Sequence, residues 1–473
     1  MPDAELLFKP ATELAQMVRG GEVSAHELTE LALARLDELD PRIGAFMHVD
    51  ADGALAAADK VQPGDERPFA GVPTAIKDIG VLNAGMPFTC GSDLFGDFIP
   101  DFDSSAVRRL RDAGFIFIGK TKSPEMGILP VTEPRRYGPA RNPYDTDRTP
   151  GGSSGGAAAA VAAGILPIAH GSDGGGSLRI PGACCGLVGL KAARGRISYA
   201  PLMGDNLLAT EGMLARTVAD AAAALDVLAG YEPGDATWAP PPATTFADAA
   251  RRDPGRLRIG FTFDQPVEVP VDPLHEQAVR DAAALLESLG HEVEEVTIPW
   301  RNDQAMLGFT TMWAVMISTL VGFGASIGGQ PPSEQNVEPL TLEFWRMAQD
   351  IKALDLVSTD NTLKVLARAV VATMYEYDAV LSPALAQRPV PVGHIDSERG
   401  MDAFGKAVEF TPYTAIANLT GQPAVTIPTG IADDGLPVAV QVWGRPAGEE
   451  VLLSLISQIE QAQPWAGMRP AIK

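Results

Sequence analysis

Two serines, each set in a run of glycines and separated by an alanine-rich stretch, constrain this chain more than any other feature. The first loop reads Thr149-Pro150-Gly151-Gly152-Ser153-Ser154-Gly155-Gly156, and the second reads Gly171-Ser172-Asp173-Gly174-Gly175-Gly176-Ser177. A serine hydroxyl is a poor nucleophile at neutral pH, so it needs a base and donors for a developing oxyanion. The glycines Gly174, Gly175 and Gly176 can all adopt φ > 0. The N–H groups of Gly174, Gly175, Gly176 and Ser177 can therefore point into one concavity beside the Ser177 hydroxyl. The plain alternative is a tight turn that only lets two elements pack.

The segment Gly151–Gly155 also fits the G-x-S-x-G nucleophile elbow, which requires a buried strand immediately before it and a helix after it. A helix over Ala157–Ile165 is well supported by its alanines. The preceding Arg141–Pro150 is polar and proline-punctuated, which reads as loop, so the elbow fails. A nucleotide-binding P-loop fails as well, because no Gly-Lys-Ser/Thr follows either glycine run. The six histidines are scattered without H-x-x-x-H spacing, so neither a metal site nor a cofactor is expected. His170 reads as a satisfied histidine at the end of a buried segment rather than as a general base.

Upstream, Lys77 lies in the apolar setting Gly71-Val72-Pro73-Thr74-Ala75-Ile76-Lys77-Asp78. This segment and the two serine loops together resemble the signature of the amidase signature family, hydrolases with a Ser–Ser–Lys triad. In that family the nucleophile follows the bridging serine by 24 residues, the interval between Ser153 and Ser177 here. The resemblance implies Lys77 as base, Ser153 as bridging serine after a cis Gly152–Ser153 peptide, and Ser177 as the acylated nucleophile. The Gly174–Ser177 amides would then form the oxyanion hole. A lysine acts as a base only when neutral, so burial must lower its pKa several units from about 10.4. Asp78 would oppose this if close and is expected to point elsewhere. Asp173 and Ser154 are supporting candidates, orienting the Ser177 loop and Ser153. Arg179 reads as an ion-pair partner.

The resemblance extends over nearly the whole chain, through Gly119–Gly127, Leu214–Asp220 and Asn418–Ala424. Ala193–Ser198 and the surroundings of Ser177 are most similar to nylon-oligomer hydrolases and related bacterial amidases, with urethane-cleaving members close in kind. The implied substrate is a small amide or a carbamate, which presents the same carbonyl to Ser177.

With 473 residues, 46% of them hydrophobic, the chain can bury a large core. A formal charge of −23 argues against nucleic acid or an anionic membrane as partner. Three cysteines make no disulfide framework, Cys184 and Cys185 read as small buried residues, and the N-terminus lacks a basic leader. A cytoplasmic monomer or homodimer is expected.

Strand-like runs at Val72–Ile79, Phe115–Gly119, Leu187–Lys191, Leu257–Phe263, Glu292–Ile298, Val380–Pro383, Ala424–Ile427 and Val438–Val442 alternate with helical stretches at Thr12–Leu39, Ala51–Val61, Ser104–Ala113, Thr217–Leu228 and His275–Leu289. This pattern predicts an α/β fold with one large mixed sheet covered by helices on both faces. The whole of 1–473 reads as a single domain, with a catalytic core over about 65–220 and a variable pocket region over about 300–410.

Met306–Ile327 is apolar enough to raise a membrane span, but hydroxyls and glycines dilute it. It reads as a buried helix and a loop over the active site. Trp313, Met312, Met316 and Phe323 in it, with Met126 and Tyr413, are the expected pocket residues. Such a lining favours an uncharged, bulky or aromatic substrate. Two other readings remain open at this point: the amidase subunit of a glutamine-dependent tRNA amidotransferase, and a non-catalytic binding protein on the same fold.

Overall fold

The computed structural model describes residues 4–472. Its strands are β1 Phe46–Val49, β2 Pro73–Lys77, β3 Ile116–Thr121, β4 Ile168–Asp173, β5 Val188–Lys191, β6 Thr210–Ala215, β7 Arg258–Phe261, β8 Glu292–Glu295, β9 Ala379–Pro383, β10 Ala424–Ile431 and β11 Pro437–Gly444. Eight of them form a mixed sheet in the order β4-β6-β5-β10-β11-β9-β7-β8. The β9–β7 and β7–β8 pairs are parallel and the rest antiparallel. β5, β6, β9 and β11 are buried at every position, which requires cover on both faces.

The expectation of one sheet is corrected in one respect. β1, β3 and β2 form a separate three-stranded sheet. It meets the large sheet side on: Thr74 Oγ1 in β2 donates to the Ile168 carbonyl of β4 at 3.0 Å. That junction brings the end of β2, and with it Lys77, against the end of β4.

Two helical expectations also change. The periodic stretch from Thr12 to Leu39 is two helices, Ala11–Gly20 and Ala25–Ile43. Gly21 ends the first at φ +73°, and a capping box between Ser24 and Glu27 starts the second. Pro41 is accommodated in the final turn of the second rather than ending it beforehand.

Residues Asp303–Gly328 form one uninterrupted helix of 26 residues, capped by the Asn302 side chain and stopped at Gly329 with φ +67°. Among the described residues it is the one helix long and apolar enough to cross a membrane. Here its Trp313, Ala314, Ile317 and Val321 stripe is buried within the protein. β4 and β6, which carry and brace the second glycine loop, lacked a clear strand signal in the sequence.

Candidate active site

Three segments converge where β2, β4 and the first glycine loop meet. Lys77 closes β2 and is fully buried. Its Nζ donates to Ser153 Oγ at 2.7 Å and to Ser172 Oγ at 3.0 Å. Burial pulls the Lys77 pKa down to about 7, against the opposing charges of Glu211 and Asp173. Asp78, next in the chain, turns the other way. It accepts from the Thr89 N–H at 3.0 Å and pairs with Lys120 at 3.1 Å.

Ser153 follows a cis peptide bond from Gly152 and precedes the helix Gly155–Ala162. Only glycine fits at 152, because a Cβ would lie 2.6 Å from the Val131 backbone. Thr132 Oγ1 fixes the loop by donating to the Gly151 carbonyl at 2.9 Å and accepting from the Gly155 N–H at 3.1 Å. Ser154 Oγ donates to the Ser172 carbonyl at 3.1 Å, stitching this loop to β4.

Ser177 lies at the end of the second loop, and its carbonyl accepts from the Ser154 N–H at 3.3 Å. Among the described residues no hydrogen bond joins Ser153 Oγ to Ser177 Oγ.

The loop's shape is set by Asp173. Its carboxylate accepts from the N–H groups of Gly176 at 2.8 Å and Leu178 at 3.2 Å. Of the amides expected to form the oxyanion hole, that of Gly176 is engaged in this way, while those of Gly174, Gly175 and Ser177 have no hydrogen-bond partner among the described residues. Gly176 is also the one loop glycine with a left-handed backbone, at φ +128°; a Cβ there would meet Thr414 Oγ1 at 2.3 Å.

Burial alone would raise the Asp173 pKa, but the charge and hydrogen bonds of Arg179, with the Lys191 charge and the Asn418 amide, together outweigh it and hold the carboxyl at about 2. Arg179 in turn donates to the Thr414 carbonyl at 2.6 Å and to Gln441 Oε1 and Asn418 Oδ1, both at 2.7 Å.

Ser177 opens onto a cavity of about 850 Å³, counting its mouth. Met306, Phe309 and Trp313 reach it from the long helix, at the spacing that puts them on one face. Phe309 and Trp313 stack with centroids 5.5 Å apart, over Gly174 and Gly175. Phe404, Ile416, Leu419, Trp300 and Ile128 complete much of the apolar wall. No charged side chain lines it among the described residues.

Of the expected pocket residues, only Trp313 lines this cavity. Met126 is buried behind it, with Gly127 and Ile128 presented instead. Tyr413 is buried beside Trp300, while its neighbours Pro412 and Thr411 face the cavity. Met316, one turn past Trp313, packs on the main core. Met312 packs beside Leu363 and Leu419, and Phe323 beside Phe88 and Phe95. A helix shows only one stripe to a cavity, and the sequence alone did not reveal where that stripe ended. Ser172, Thr414 and Asn418 were missed as site residues. Each meets its site partner far away in the chain: Ser172 meets Lys77, Thr414 meets Gly175 and Asn418 meets Asp173.

The Amidase family pattern matches residues 27–453. The 6-aminohexanoate-cyclic-dimer hydrolase of Paenarthrobacter ureafaciens is 36% identical, over 98% of this chain and 97% of that protein. A solved structure of 6-aminohexanoate cyclic dimer hydrolase complexed with substrate superposes with a TM-score of 0.93 at 34% identity, over 98% of this chain and 99% of that one. A bacterial aryl acylamidase of the amidase signature family gives 0.87 at 26% identity, over 98% and 99%. The chain belongs to the amidase signature family and is an amide-bond hydrolase.

Proposed function

We propose that the enzyme cleaves uncharged, bulky alkyl or aryl amides, and carbamates with the same carbonyl, through an acyl-enzyme on Ser177. The observation that carries this reading is the buried Lys77, 2.7 Å from Ser153 Oγ and with a pKa near 7, beside a serine that opens on an uncharged cavity. Neutral Lys77 takes the Ser153 proton as Ser153 takes that of Ser177. Ser177 Oγ forms its bond to the carbonyl carbon, and the Gly174, Gly175 and Ser177 amides receive the oxyanion. The proton on Lys77 returns through Ser153 to the leaving amine as the C–N bond breaks. Water then releases the acyl group by the same relay.

The apolar wall supports neutral substrates, in keeping with relatives that act on the cyclic dimer of 6-aminohexanoate. Glutamine, the amide an amidotransferase subunit would use, carries an ammonium and a carboxylate for which this wall offers no partner. The test is amine release from a matched N-aryl amide and N-aryl carbamate, by wild type and Ser177→Ala. Wild type is expected to cleave at least one and the variant neither. Activity retained in Ser177→Ala would refute the nucleophile.

A further inference from the structure

When Lys77 takes a proton it becomes an ammonium in a fully buried site, and an ion there needs a counter-charge. Two carboxylates act on it, Asp173 and Glu211. Asp173 is already committed to Arg179 through two contacts of 2.9 Å, and to Asn418 and the Gly176 amide. The adjacent Asp78 is committed to Lys120. The Cys90 thiol, the other titratable group acting on Lys77, is held uncharged by burial, its pKa well above the usual value.

Glu211 is different. It lies on β6 directly opposite Ser172, so the two side chains share one face of the antiparallel pair, and Ser172 Oγ accepts from Lys77 Nζ at 3.0 Å. Glu211 is buried, and among the described residues no lysine or arginine pairs with it. Among the described residues, the ionisable side chain in ion-pair range of it is His170, with Nε2 3.1 Å from Glu211 Oε2 and neither atom in a hydrogen bond. On its other side, His170 Nδ1 accepts from the Lys77 backbone N–H at 3.4 Å.

We propose that Glu211 is the counter-ion of the Lys77 ammonium formed during acylation, a positioning residue that sets how readily Lys77 accepts the Ser153 proton. This inference rests on the reading of Lys77 as the base.

The experiment is the pH dependence of kcat/KM for a neutral N-aryl amide, in wild type, Glu211→Gln, Glu211→Asp and Lys77→Met. Removing the charge in Glu211→Gln should move the acid limb down by about one pH unit or more. The plateau should fall about tenfold, because the base is weaker. Glu211→Asp, which keeps the charge, should hold the limb near wild type. A Gln limb that coincides with wild type overturns the proposal. So does an Asp limb that moves as far as the Gln limb, since packing would then be the cause. Should the Gln variant not fold, Glu211→Met, uncharged and of similar length, is read with the same two outcomes. Lys77→Met separates the two claims: activity retained there removes the base itself, whereas activity lost there with an unmoved Glu211→Gln limb removes only the counter-ion.

Discussion

Asp173 and Arg179, six positions apart in the sequence, form an ion pair from which water is fully excluded, with Arg179 Nη2 2.9 Å from Asp173 Oδ1 and Nε 2.9 Å from Oδ2. Asp173 shapes the loop that ends in Ser177, and Arg179 ties that loop to β11 through Gln441. The pair therefore joins the Ser177 loop to the centre of the large sheet.

Breaking one side of a buried pair leaves the other charge unsolvated. Arg179→Met should thus cost about 3–5 kcal/mol of stability. Urea unfolding monitored by tryptophan fluorescence checks this. A loss under about 1 kcal/mol would mean that the pair is not integral to the fold.

Thr414 Oγ1 donates to the Gly175 carbonyl at 2.7 Å, holding the amides that face the cavity. Thr414→Val keeps the shape but removes the donor. It should cost about 1 kcal/mol in stability and lower kcat about tenfold by loosening the loop. Steady-state kinetics beside a thermal melt separates the two effects; an unchanged kcat would contradict the role.

Trp313 stacks on Phe309 above Gly174 and Gly175. Trp313→Ala should shift the kcat/KM ratio between a bulky and a compact anilide by about tenfold or more in favour of the bulky one. Met316→Ala, one turn along and off the cavity wall, should leave that ratio alone. Equal selectivity in wild type and Trp313→Ala would remove Trp313 as a determinant.

The serine loops were legible in the sequence because their glycines are local signals: a Cβ at Gly152 would meet the Val131 backbone, and one at Gly176 the Thr414 side chain. Lys77 was legible through the resemblance of Gly71–Asp78 and the two serine loops to the amidase signature, not through the apolar run of β2 alone. The pocket was not. Whether Trp313 or Met316 faces the substrate depends on where a 26-residue helix crosses the mouth, which tertiary packing decides. The single-sheet expectation failed for a similar reason. β2 and β3 have strand sequences, but nothing in them says that they meet the large sheet side on, through Thr74, rather than joining its ladder. Glu211 was invisible as a site residue because its partner Ser172 is far away in the chain and adjacent only in β4–β6 register.

The most direct test of the account is the pH profile of kcat/KM for a neutral anilide in wild type between pH 5 and 10. Burial holds Lys77 near 7 instead of its ordinary range, so its neutral, competent form accumulates as pH rises through that value. The account predicts a limb that climbs about tenfold per unit below a midpoint near 7 and levels above about pH 8. A flat profile across that range would contradict Lys77 as the base.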